Sequence, residues 1–118
     1  MPHLYQTQLW RLELPDTWQV RDKCGPKFVT FFRPDGVGIL NVSTSDELPT
    51  FQDGQGEDFR GRLAGRAFVA KSSDRFWRTW WLSCSGQCLL VTYSCSAMNA
   101  ELELSEVDEI LHSISEVA

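Results

Sequence analysis

Apolar residues in this chain fall into short runs in which alternate positions are hydrophobic, and turn-forming residues separate the runs at short spacing, which is the pattern of a β-rich fold. From Tyr5 to Leu14, the large apolar residues Trp10, Leu12 and Leu14 alternate with Arg11 and Glu13, which predicts one strand ending at Pro15. Pro15 and Asp16 make a turn, Trp18 to Arg21 forms a short strand, and Cys24, Gly25 and Pro26 break it. Lys27 to Arg33 is rich in the β-branched and aromatic residues that suit a pleated surface. Pro34, Asp35 and Gly36 separate this run from Val37 to Ser43. Proline presets φ there and glycine supplies left-handed backbone at little steric cost, so the two runs read as a β-hairpin.

From Thr44 to Gly61 the pattern dissolves into Asp, Glu, Gly and Gln, with a weak helical turn around Glu57 to Arg62. A stretch of that length is either a partner-binding loop or simply mobile. Alternation returns at Gly65 to Lys71, Arg75 to Ser83 and Cys88 to Ser94, joined by Ser-Ser-Asp and Ser-Gly-Gln turns, which predicts a three-stranded meander. Leu104, Val107, Leu111 and Ile114, with Ile110 beside them, then recur at intervals of three and four and define the apolar stripe of a helix. Ser105 and Asp108 have capping-box spacing, Asn99 is a rival cap, and Glu106, Asp108 and Glu109 would face the positive end of the helix dipole.

These elements predict an α+β fold with one twisted, mainly antiparallel β-sheet of about six or seven strands and a C-terminal helix packed on it. With 118 residues and 42% apolar composition, residues 1–118 can form a single domain whose core needs neither disulfide nor metal. The chain has no basic-then-apolar leader and no run approaching the roughly 20 apolar residues that cross a bilayer. The expectation is therefore a cytoplasmic protein in which Cys24, Cys84, Cys88 and Cys95 are thiols.

The formal net charge of −5 argues against attraction of the whole molecule to nucleic acid or to an anionic membrane. The charge is unevenly spread. Arg60, Arg62, Arg66, Lys71, Arg75 and Arg78 are opposed locally by Asp74, whereas everything from Asn99 onward is acidic or neutral. That layout permits a local basic site, and it equally suits two solvated faces.

No catalytic or metal-binding set is expected. Cys84 and Cys88 flank the Ser-Gly-Gln turn, and a hairpin loop of those residues would bring the thiols opposite one another. Zinc would still lack ligands, because His3 and His112 lie in remote segments. Cys24-Gly25-Pro26-Lys27 has lysine where a redox motif has its second cysteine. Glu101 and Glu103 read as part of an acidic helical region rather than as an acid–base pair. Neither an enzyme nor a bound cofactor is therefore expected.

The strand around Arg75 to Ser83 is aromatic on both sides. Phe76, Trp80 and Leu82 share one face with Arg78, and Trp77, Thr79 and Trp81 share the other. Either the sheet is covered on both sides, or one face presents indoles to a partner. The second possibility makes Trp77 and Trp81, with Arg75 and Arg78 at the rim, a candidate protein-binding face, and a homodimer is one way to fill it. An alternative is a small-molecule or lipid carrier with a pocket between sheet and helix, lined by Phe76, Trp80 and Tyr93.

The order Leu14-Pro-Asp-Thr-Trp18, a hairpin ending in Val37 to Ser43, a strand with Trp77, Trp80 and Trp81, Leu89 to Ser94 and the closing Val107 to Ile114 resembles the PsbP-like group. That group includes the extrinsic photosystem protein, Ran-binding proteins of the Mog type and many bacterial domains. The resemblance implies an α/β/α sandwich around an antiparallel sheet and a non-enzymatic role through protein contacts. It carries no functional residue onto a position here. The group's pattern also implies a first helix longer than Glu57 to Arg62.

Overall fold

A computed structural model describes residues 3–23, 28–34, 36–45, 56–84 and 86–117. Its strands are β1 (His3–Gln6), β2 (Trp10–Leu14), β3 (Gln19–Lys23), β4 (Phe28–Phe32), β5 (Gly38–Ser45), β6 (Glu57–Arg60), β7 (Ala64–Lys71), β8 (Arg75–Cys84), β9 (Gln87–Ser96) and β10 (Ser115–Glu116). A short 3₁₀ turn, Ala97–Asn99, and a helix, α1 (Leu104–Ser113), lie between β9 and β10. The α+β class with antiparallel pairing holds, but the strands form two sheets rather than one. One is seven-stranded, in the order β3-β4-β5-β9-β8-β7-β6, and the other is three-stranded, in the order β1-β2-β10.

The second sheet exists because the expected single strand from Tyr5 to Leu14 folds back on itself. Thr7 Oγ1 accepts hydrogen bonds from the backbone N–H groups of Leu9 (3.2 Å) and Trp10 (3.1 Å), and Thr7 N–H donates to the Trp10 carbonyl at 2.8 Å. A threonine side chain thus makes the reversal that Gly or Pro would have announced, and β1 pairs with β2 from His3 opposite Leu14 to Gln6 opposite Arg11. After α1 the chain returns along the other edge of β2 as β10, and Val117 N–H donates to the Leu9 carbonyl at 3.0 Å.

The core lies between one face of the large sheet and a layer made of α1 and the small sheet. Trp10, Leu12 and Leu14 of β2 are fully buried, and Tyr5 and Trp10 meet Phe31 of β4 at ring separations of 5.1 and 6.5 Å. Helix α1 contributes the expected stripe, with Val107, Ile110, Leu111 and Ile114 all at 0% exposure. Burying side chains of this size stabilises by about 1.5–3 kcal/mol each, which outweighs the modest helix propensity of so short a segment.

Other details differ from the sequence expectation. Thr44 and Ser45 extend β5, and Glu57–Arg60 is the strand β6, not a helical turn; it pairs with β7 so that Phe59 tucks under α1 with its ring 4.9 Å from the His112 imidazole. One apolar residue between charged neighbours gives too little alternation to read as a strand, and burial of Phe59 decides the outcome. Residues 46–55 of the long irregular stretch, and the break at Cys24 to Pro26, lie outside the described residues. Asn99 caps no helix and sits in the 3₁₀ turn. Ser105 and Asp108 form no capping box, because α1 begins at Leu104, two residues before the start a Ser105 cap would give, and follows Glu103, whose side chain makes no capping bond. A second helical layer, as in an α/β/α sandwich, is not present among the described residues.

Candidate binding face

The register of β8 separates its two faces. Phe76, Trp80, Leu82 and Cys84 point into the core and are at most 4% exposed. Trp77, Thr79 and Trp81 point away from it, onto a sheet face that no other described helix or sheet covers; Trp77 is 36% exposed and Trp81 is half-buried. On that face Trp77 lies between Ala70 of β7 and Ser94 of β9, Thr79 between Phe68 and Thr92, and Trp81 between Arg66 and Leu90. The face continues onto β5, where Ile39 lies opposite Ser94 and Ser43 opposite Leu90. Arg75 is exposed on the same side at the start of β8.

Arg78 does not belong to this face. It points to the core side with Trp80, its Cζ 5.2 Å from the Trp80 ring centroid and its Nη1 3.8 Å from Asp108 Oδ1 of α1. Period-two alternation dictates that placement, since positions 77 and 78 cannot share a face. Arg66 and Phe68 belong to the face instead. Alternation within β7 puts them on one side together, but only the β7–β8 register brings them beside Trp81 and Thr79.

The β8–β9 hairpin also separates two thiols expected to meet. Cys84 lies opposite Gln87 and Cys88 opposite Ser83, so the connection is one residue shorter than predicted and the cysteines sit on opposite faces of the sheet. Gly86 at φ 77° supplies the left-handed residue of that turn. Cys84, Cys88 and Cys95 are buried free thiols, and burial pushes the Cys88 thiol up from its ordinary range. His112 Nδ1 lies 2.8 Å from the Asp108 carbonyl oxygen, and His3 is in β1, on a different sheet. Among the described residues no group of three or more His, Cys, Asp or Glu could hold a metal ion.

No family model matches the chain, and no curated protein matches it. A crystal structure from Bacteroides thetaiotaomicron VPI-5482, at 1.50 Å resolution, has a similar fold: TM-score 0.68, 9% sequence identity, covering 97% of this chain and 50% of that one. The chain thus spans half the length of that protein, and at this identity the likeness is one of fold.

The carrier residues of the alternative reading lie in packed surroundings. Trp80 and Tyr93 are fully buried and Phe76 is 4% exposed, all within the core. A cleft of about 260 Å³ opens instead at the β6–β7 edge, between Gly56, Glu57, Phe68, Val69 and Arg78.

One polar cluster was not visible in the sequence. Glu103 is fully buried; its Oε1 accepts hydrogen bonds from Tyr93 Oη–H at 2.7 Å and from Gly38 N–H at 3.0 Å. Its Oε2 is 3.4 Å from Arg33 Nε, and Arg33 also pairs with Glu106. Glu106 in turn accepts from Trp18 Nε1–H at 2.8 Å. The cluster fastens the β4–β5 hairpin to the start of α1, and the carboxylate at the helix N-cap position is used here instead of capping the helix. A Cβ on Gly36 would lie 2.2 Å from Glu103 Oε2 and one on Gly38 would lie 2.4 Å from Tyr93 Oη, so a larger residue at either position would displace a member of the cluster.

Burial, reinforced by the Glu103 carboxylate beside it, pushes the Tyr93 phenol well above its ordinary value of 10.0. A raised folded-state value means the fold binds the proton more tightly than the unfolded chain. This contribution is therefore complete below about pH 10 and is lost as pH rises further. Urea unfolding followed from pH 8 to 11 should show stability falling above pH 10. The fall should be shallower in Tyr93→Phe but not absent, because burial also raises Tyr5.

Proposed function

We propose that this chain is a non-catalytic protein-interaction domain and that the sheet face around Trp77 and Trp81 receives the partner. The observation behind this reading is Trp77, 36% exposed beside the half-buried Trp81 on the sheet face turned away from α1 and the small sheet. Large aromatic residues are enriched where interfaces are tight. Arg75 and Arg66 supply the polar rim, in place of the Arg75 and Arg78 pair suggested by the sequence.

An adaptor, a secretion chaperone or a toxin-neutralising protein would each use such a face without chemistry. Three buried thiols suit a reducing compartment, which supports a cytoplasmic location, and among the described residues no helix is long and apolar enough to cross a membrane. The proposed kinship with the PsbP-like group belongs to the same reading; the antiparallel sheet with a C-terminal helix supports it.

The reading is tested by Trp77→Ala combined with Trp81→Ala. Proteins retained by the immobilised wild-type chain from its own host's lysate should be lost with the variant. The thermal midpoint should fall by only a few degrees, because neither indole is in the core. A collapse of stability would assign both residues to a structural role and remove the proposal.

A further inference from the structure

Strand β1 lies at one side of the three-stranded sheet, and the ladder of the β1–β2 hairpin shows which of its backbone groups are left over. Thr7 N–H donates to the Trp10 carbonyl, so Thr7 and Trp10 form a hydrogen-bonded pair next to the turn. Bonded and non-bonded pairs alternate along an antiparallel ladder. Gln6 opposite Arg11 and Leu4 opposite Glu13 are therefore the non-bonded pairs, and Tyr5 opposite Leu12 is bonded. The far flank of β2 obeys the same alternation: Glu13 N–H points away from β1 to Ser113 Oγ at 2.9 Å, and the Leu9 carbonyl accepts from Val117 N–H. On β1, then, the N–H and C=O groups of Leu4 and Gln6 point outward, and no described strand pairs with them.

The outer strands of the two sheets differ in how they are protected. β3 carries Arg21, Asp22 and Lys23 and an irregular register between Val20 and Asp22. β6 carries Glu57, Asp58 and Arg60, and β10 is only two residues long and includes Glu116. Charges, bulges and shortness of this kind discourage pairing with another chain. β1 reads His-Leu-Tyr-Gln, without Asp, Glu, Lys, Arg or proline, and Leu4 on its outer face is 57% exposed.

We infer that β1 is a self-association edge, to which a second copy of this chain adds its own β1 antiparallel about a two-fold axis through Tyr5. In that register Leu4 of each copy lies opposite Gln6 of the other, and each such pair exchanges both of its N–H···O=C bonds. Tyr5 keeps its backbone pairing with Leu12 and its ring against Trp10 and Phe31. The contact is isologous and closed, so it stops at two copies. A two-fold axis sets each copy's charges against the same charges of the other, so self-pairing of a chain with net charge −5 is easiest at an edge that carries none. This edge belongs to the layer on the other side of the large sheet from Trp77 and does not depend on the reading of that face.

Sedimentation equilibrium of the full chain from about 20 µM to 1 mM should show the mass rising from one chain towards two. A dissociation constant of about 100 µM is expected, because so short a strand pair buries less than a standard interface. Raising salt from about 50 to 500 mM should tighten the dimer about twofold or more, by screening repulsion between two acidic copies. Hydrogen exchange at the Leu4 and Gln6 amides should slow as concentration rises, while the Tyr5 amide, already bonded to Leu12, should change less.

Leu4→Pro removes an outward N–H without taking a bond from β2 and should abolish the dimer. Leu4→Lys, at an exposed position, should weaken it about tenfold and keeps the test informative if the proline variant unfolds. Adding Gln6→Glu to Leu4→Lys should restore association, since opposite charges then face one another across the axis. A chain that stays monomeric at about 1 mM, a dimer indifferent to both Leu4 variants, or one that weakens as salt rises would each overturn the inference. Absence of rescue by Gln6→Glu would overturn the register centred on Tyr5.

Discussion

Replacing Glu103 with alanine should lower the unfolding free energy by about 3–5 kcal/mol, the largest loss expected from any single polar substitution in this chain. The carboxylate is fully buried and accepts from Tyr93 Oη–H and Gly38 N–H, so its removal leaves two donors without an acceptor. Each costs about 1–3 kcal/mol when buried and unsatisfied. Arg33 retains Glu106, which limits the electrostatic part of the loss. Glu103→Gln keeps an acceptor for both donors and gives up the charge beside Arg33, and it should cost less than half as much. Urea denaturation of the three proteins side by side measures this. Equal stability of Glu103→Ala and wild type would show that the cluster holds nothing together.

The second large effect is expected at Gly65 of β7, which lies opposite Leu82 of β8. A Cβ there would lie 1.8 Å from the Trp81 carbonyl oxygen and 2.8 Å from its carbon, both backbone atoms that no rotamer change can move. Gly65→Ala must push β7 away from β8 and give up ladder hydrogen bonds around Leu82, so about 3 kcal/mol or more should be lost. Gly86→Ala is the natural comparison. Its φ of 77° is unfavourable for alanine, but nothing lies within 4 Å of the added atom, so the cost should be about 1 kcal/mol. Thermal unfolding should rank the two variants in that order, and the reverse order would mean that the close approach of β7 to β8 relaxes freely.

How much of this was readable in the chain follows from which interactions are local. The hairpin across Pro34 to Gly36, the β7–β8–β9 meander and the stripe on α1 each depend on residues close in sequence, and they appear as expected. The β1–β2 reversal was hidden because Thr7 makes the turn with its side chain rather than with a distinctive backbone residue. Glu103 was hidden for a different reason. Gly38 is 65 residues away from it, and Arg33 is 73 from Glu106, and in an acidic run nothing marks one carboxylate as the buried one.

The candidate face was half readable. Alternation alone separates Trp77 and Trp81 from Trp80 and Arg78. Which side faces the core could not be told, since both carry indoles; the burial of Trp80 in the core shared with α1 and β2 decides it. Arg66 and Phe68 became neighbours of the tryptophans through pairing register, which no single strand specifies.

Strand β2 has His3 to Gln6 on one flank and Ser115 to Glu116 on the other, so segments from opposite ends of the described chain clasp the same ribbon. A cut in any connecting loop would leave each fragment holding only part of that clasp. The chain is therefore built to come apart as a whole or not at all.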